Sequence, residues 1–353
     1  MTMEPTEAIR QSFLRQASAC DDLGSPFTAR LCRIAGSRLN GDTAVGQRIL
    51  EWQGDPTGLG DALALRLAGA LHALVRAGRN PALAAVYPSH AIDDDGLWTA
   101  VETTLRRDEV FLLDWLRSPP QTNEVRRSAA LLPGFLTLGA MFDKPLVLSE
   151  VGASAGLNLH WDHYGYRLGE VSWGPASSVT LTPEWQGPPP PLAQLTIADR
   201  AGCDLKPLDP SSPGDRERLM AYIWADQQER LERTGHALEI AAASAIRVER
   251  ADAVDWLEQR LSKVHEGCVH VVYHSIAWQY LPGPLKERGE ALIRNAGARA
   301  TVTAPLARLQ MEADGKPDGA ALVLELWPLG TRHEIGRADF HGRWVKWQGW
   351  PGH

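Results

Sequence analysis

Residues 146–164 read LVLSEVGASAGLNLHWDHY: an apolar run, a turn of small residues, then a stretch that opens like a helix. Two chemistries fit the turn. Gly152-Ala153-Ser154-Ala155-Gly156 has the G-x-S-x-G spacing of a serine-hydrolase nucleophile elbow, where small neighbours let the strained turn close. Read instead from Glu150 through Gly152 to Gly156, it is a nucleotide-cofactor loop with Ser154 in place of the middle glycine. The elements on either side weigh between them.

From Thr6 to Met141 the chain has helical periodicity and almost no strand signal. DALALRLAGALHALVRAG (61–78) repeats apolar residues at helical spacing and ends on a glycine suited to a left-handed cap. LWTAVETTLRRDEVFLLDWL (97–116) reads as another helix or a pair, with Asp94 or Asp95 available to cap it. The pattern changes at KPLVLSEVG (144–152), a short buried-strand run, and similar runs follow at 194–202, 245–252, 269–278 and 299–307. Helical stretches such as 215–244 and 284–297 lie between most of them. Alternating strand and helix predicts a mostly parallel, doubly wound sheet. ALVLELWPLG (321–330) and RWVKW (343–347) lack a long helix between them and predict an antiparallel pair at the C-terminus. The proline-rich QGPPPPLAQ (186–194) reads as a surface loop of an insertion around 166–193. The expected organisation is an all-helical region over 1–140, acting as a lid or substrate selector, and an α/β domain over 141–353.

At 353 residues the chain can bury two substantial cores. A net charge of −7 argues against nucleic acid or an anionic membrane as partner. Cys20, Cys32, Cys203 and Cys268 form no C-x-x-C pair, which suits a reducing cytosol. The longest apolar stretch, 129–142, is short and contains Pro133, so no membrane span is expected. These features predict a cytoplasmic protein.

In a doubly wound sheet, ligands sit beyond the C-terminal strand ends where crossovers diverge. The first strand ends at Glu150 and runs into Gly152 and Gly156, whose backbone can approach a ligand closely. Asp204 follows the next strand, where a carboxylate can accept both hydroxyls of a ribose. Asp252 follows the third, and His274 and Ser275 the fourth.

Together LSEVGASAGLNL, GCDLKPLD, ADAVDWL and VVYHSIAWQYLP resemble the class I S-adenosylmethionine (SAM) dependent methyltransferases. More narrowly, SPPQTNEVRRSAALLPGFL with EVGASAGLNLHWDHYGYRLG resembles a bacterial family of uncharacterised proteins assigned to that superfamily. The resemblance implies a methyltransferase-like sheet, SAM as cofactor and a small-molecule methyl acceptor. It places Glu150, Gly152, Ser154, Gly156 and Asn158 around the cofactor loop, Asp204 at the ribose, and Asp252 with Ala253 at the adenine. Ser154 departs from the pattern, as does the long interval between Gly152 and Asp204.

Methyl transfer needs a general base only for a protonated acceptor, and His274 is the first candidate, Tyr280 the second. Trp278 is placed to stack on a planar or cationic acceptor. In QTNEVRR (121–127), Gln121, Asn123 and Arg127 read as a lid over the cofactor, with Asn123 and Arg127 sharing a helical face and the guanidinium pairing with the methionine carboxylate. Asn123 or Thr122 also suits a helix N-cap. His160 and His163 read as helix-surface packing, since no further metal-ligand spacing accompanies them. Trp344 and Trp347 near His341 read as a packed terminal strand. A non-catalytic SAM or nucleotide binder stays open. So does a serine hydrolase using Ser154 with Asp252 or Asp255 and His333 or His341, although no strands or oxyanion loop precede Lys144.

Overall fold

The computed structural model describes residues 5–88 and 90–352. The chain divides into two compact units, Met1–Thr122 with Pro213–Glu232, and Asn123–Ser212 with Arg233–His353.

The first unit is built on amphipathic helices whose apolar faces meet in one core around Phe13, Leu67, Leu71, Leu74, Leu97 and Leu112. Leu63–Arg76 ends in a Schellman turn: Gly78 is left-handed (φ 63°), Gly78 N–H donates to Val75 O, and Arg79 N–H donates to Leu74 O. The stretch 97–116 is a helix pair, Asp94–Arg107 and Glu109–Leu116, and its cap is Asp93 rather than Asp94 or Asp95. Asp93 Oδ1 accepts from Gly96 N–H at 2.8 Å, one residue earlier than foreseen. The N-terminal region is not purely helical, since residues 51–62 run as loop and turn. No helix among the described residues is long and apolar enough to cross a membrane.

The second unit holds the sheet. Its strands are β1 (Leu146–Val151), β2 (Gly165–Leu168), β3 (Val171–Trp173), β4 (Thr180–Leu181), β5 (Glu184–Gln186), β6 (Ile197–Asp204), β7 (Glu249–Arg250), β8 (Val269–Ser275), β9 (Leu306–Glu312), β10 (Ala320–Trp327), β11 (Thr331–Ala338) and β12 (Trp344–Trp347). Among the described residues the large sheet has nine strands in the order β5-β12-β11-β10-β9-β8-β1-β6-β7. The run from β7 to β9 is parallel throughout, whereas β9 to β12 form an antiparallel meander. This is a mixed α/β fold with a large, mostly parallel sheet.

Both faces of the sheet are covered, so β1 and β8 are buried at every residue, including the polar Ser149, Glu150, His270 and His274 among their apolar neighbours. Val272 joins Trp256, Leu257 and Ile293 of helices Ala253–Leu261 and Gly283–Gly297 on one face. On the other, the ring of the next residue, Tyr273, meets Phe135 of helix Arg127–Phe142 edge-on at 5.3 Å. Gly134 lets that helix seat closely, because a Cβ there would lie 2.6 Å from Leu309.

Three expectations change. The run 299–307 is a turn into a strand, and β9 begins only at Leu306. The apolar run stops at Ala307, before the buried Arg308 through which the strand continues. The terminal pair is separated by β11, which pairs with both β10 and β12. The insertion is not only loop: β2, β3 and β4 form a small sheet of their own, and β5 pairs with β12 at the edge of the large one.

Candidate ligand-binding site

The crossovers diverge between β1 and β8: from β1 the chain moves outward to β6 and β7, then returns to β8 on the other side. The loops at the carboxyl ends of β1, β6 and β8 therefore surround the place where this architecture binds ligands.

The β1 loop is held from three directions. Gly152 and Ala153 N–H both donate to Cys203 O, and Ser154 N–H donates to Asp204 Oδ2 at 3.0 Å. Asn123 Oδ1 accepts from Ala155 N–H at 3.1 Å and Leu157 N–H at 3.0 Å. Gly152 is left-handed (φ 71°), and a Cβ there would lie 2.5 Å from Ala277 Cβ on the loop after β8. Glycine is thus required twice over, by conformation and by close approach. Ser154 shares the left-handed region (φ 54°), as does Ile276 (φ 50°) opposite. A β-branched residue rarely adopts it, and such departures concentrate at sites of function.

Ser154 Oγ is buried and makes no hydrogen bond among the described residues. No described histidine is therefore bonded to it, as a base-activated serine would require. Asp204 remains half-buried, with Oδ1 on Lys206 N–H and Oδ2 on Ser154 N–H, so its carboxylate first of all fastens the loop.

Glu150 lies between Gly202 and Tyr273 in the strand register and is only 2% exposed. Burial pushes its carboxyl pKa up to about 8, against the opposing hydrogen bond from Tyr273 Oη. Tyr273 Oη lies 3.3 Å from Glu150 Oε2 and 3.2 Å from Asn158 O. Asn158 itself is structural: Oδ1 accepts from Ser128 Oγ and Nδ2 donates to Glu124 O.

The lid reading of QTNEVRR changes. The helix starts at Arg127, so Asn123 lies upstream of it and the two share no helical face. Asn123 is turned into the protein to hold the loop. Arg127 donates from Nε to Phe340 O and from Nη1 to Ser275 O, bridging two strand ends. Gln121 falls in the helical unit, on a segment without regular structure.

The foreseen catalytic side chains also separate. His274 is fully buried. Its Nδ1 lies 2.7 Å from Glu312 Oε1, and Arg308 Nε donates to its Nε2 at 3.2 Å. The Arg308 donor leaves Nε2 as acceptor and puts the imidazole proton on Nδ1, directed at Glu312. Burial keeps the ring's pKa below the usual imidazole value. Trp278 stacks on His274 at 5.0 Å with the Arg308 guanidinium 4.6 Å over its ring, so it is core and not a platform. Tyr280 stays 55% exposed. Asp252 caps helix Ala253–Leu261, Oδ1 accepting from Val254 and Asp255 N–H, and Ala253 is the helix's first residue.

His160 and His163 lie 5.9 Å apart, and no cluster of three metal-ligating side chains occurs among the described residues. Trp347 is buried against Trp185, and His333 packs edge-on to Trp350.

Residues 10–347 match a family described as an uncharacterized protein conserved in bacteria, DUF2332. The chain belongs to this family. No curated protein and no solved structure matches it. The DUF2332 description names neither an activity nor a ligand, so the chemistry is argued from the site. Sequence reasoning about this DUF2332 chain passed over Tyr273, Ala277 and Glu312. None carried a local signal, since each matters through a partner that strand pairing brings to it.

Proposed function

We propose that the protein binds SAM at the divide between β1 and β8 and transfers its methyl group to a small-molecule acceptor, on a class I methyltransferase-like sheet. One observation carries this reading: the parallel order β7-β6-β1-β8-β9 gathers the Gly152–Gly156 turn, Asp204 and the β8 loop at one crossover divide. The buried Ser154 hydroxyl, without a partner among the described residues, supports it, because a ligand acceptor atom would satisfy it. The Asp204 carboxylate retains lone pairs for a ribose diol beyond the two backbone N–H groups it accepts. Leu205, 67% exposed, offers an adjacent apolar face to a base.

SAM would supply an electrophilic methyl group. The chain's own contribution is to orient the acceptor in line and exclude water. His274 is sealed and serves no acceptor as base, so the reading favours an acceptor that arrives with a free lone pair.

Calorimetry with SAM and with S-adenosylhomocysteine tests it. Wild type is expected to bind both, and Asp204→Ala and Gly152→Leu to weaken binding by about tenfold or more. A folded wild type that binds neither sinks the proposal. Binding without methyl transfer across a panel of small acceptors reduces it to a SAM-binding protein.

A further inference from the structure

A chain of side chains runs behind the β8 loop. Glu290 Oε2 accepts from Arg308 Nη1 at 2.7 Å, Arg308 Nε donates to His274, and His274 Nδ1 donates to Glu312. Glu312 closes β9, and its carboxylate turns across to the loop that follows β8. Oε1 accepts from Ala277 and Trp278 N–H, each at 3.0 Å, and Oε2 from Gln279 N–H at 3.4 Å. These amides open the short 3-10 turn Trp278–Tyr280, where a negative charge meets unpaired N–H groups. The loop so held is the one whose Ala277 Cβ presses on Gly152 and whose Ile276 is left-handed.

We propose that Glu312 is a positioning residue for the site between β1 and β8, fixing loop 276–280 against Gly152 through three backbone amides, with His274 and Arg308 orienting the carboxylate. As a statement about ligand affinity it rests on the SAM-binding reading. Burial opposes ionisation of Glu312, but the hydrogen bonds from His274 and the loop amides outweigh it and lower the carboxyl's pKa. The same contacts give one carboxylate four donors, an arrangement a neutral amide cannot reproduce. Glutamine offers one oxygen and directs an NH2 at N–H donors.

Glu312→Gln, read by hydrogen exchange and by calorimetry with SAM, tests the role. In the variant, amides 277–279 are expected to exchange about tenfold faster or more, while those of β10 keep wild-type protection. SAM affinity is expected to fall about tenfold. In wild type, the loop's protection is expected to persist as pH falls until Glu312 protonates, a dependence missing from the variant. Unchanged exchange at 277–279 overturns the tether. A loosened loop with SAM affinity intact overturns its role in the site. A wild type that does not bind SAM sinks the binding reading alone, because loop exchange in the variant still decides the tether. If Glu312→Gln does not fold, His274→Gln reads the same quantities, with smaller losses expected and unchanged exchange again contradicting the tether.

Discussion

Replacing Glu150 with glutamine is expected to stabilise the protein at alkaline pH and to flatten part of its pH dependence. The folded carboxyl titrates near 8 and the unfolded one near its ordinary 4.5. Between those values the unfolded chain has released this proton and the folded one has kept it. Wild-type stability from this group is thus complete below the unfolded pKa and falls by about 1.4 kcal/mol per pH unit as pH rises towards the folded one. Above that the loss levels off, at an order of several kcal/mol for a group so buried. Glutamine keeps an oxygen for Tyr273 and has nothing to ionise. Chemical denaturation at about pH 5 and about pH 8 should show wild type losing several kcal/mol more than the variant over the interval. Parallel stability profiles would mean that Glu150 is already ionised in the folded protein.

Asn123→Leu is expected to cost about 2–5 kcal/mol and to disorder the glycine loop, because Ala155 and Leu157 N–H lose their shared acceptor inside the protein. Asn123→Asp keeps the acceptor and should recover most of the loss. Denaturant midpoints for the pair, with hydrogen exchange over 152–158, measure this. If leucine is as well tolerated as aspartate, Asn123 does not hold the loop. The contrast separates a fastening role from a ligand-facing one, which leucine would abolish without unfolding anything.

These two residues also show how legible the site was. Glu150 and the Gly152–Gly156 turn were recoverable because strand end, small residues and helical onset are adjacent in sequence, and backbone geometry is local. Asp204 was placed at the end of its strand by the same logic, although its fastening bond to Ser154 depends on β1 and β6 being neighbours in the sheet. The sequence reading had Asn123 and His274 facing a ligand, whereas the structure turns both side chains to partners within the protein. A polar residue near a site either faces the ligand or braces the loop behind it, and composition is identical in both cases. Glu312 had no local signal, since its importance lies in amides far upstream that β8–β9 pairing brings to it.

By itself the sequence determined the main pattern: a mostly helical region up to about residue 140, then buried strands alternating with helices, with a glycine turn after the first strand. Those follow from periodicity and residue conformation, which act over a few positions. It also carried the resemblance to an uncharacterised bacterial family, to which the chain belongs. Only the tertiary structure decided the place of β11, the start of β9 behind a buried arginine, and the facing of Gly152 with Ala277. Pairing order and side-chain partners are set by contacts between segments far apart in the chain, and neither periodicity nor propensity records them. The turn at 152–156 was visible in one line of sequence; what holds it open was not.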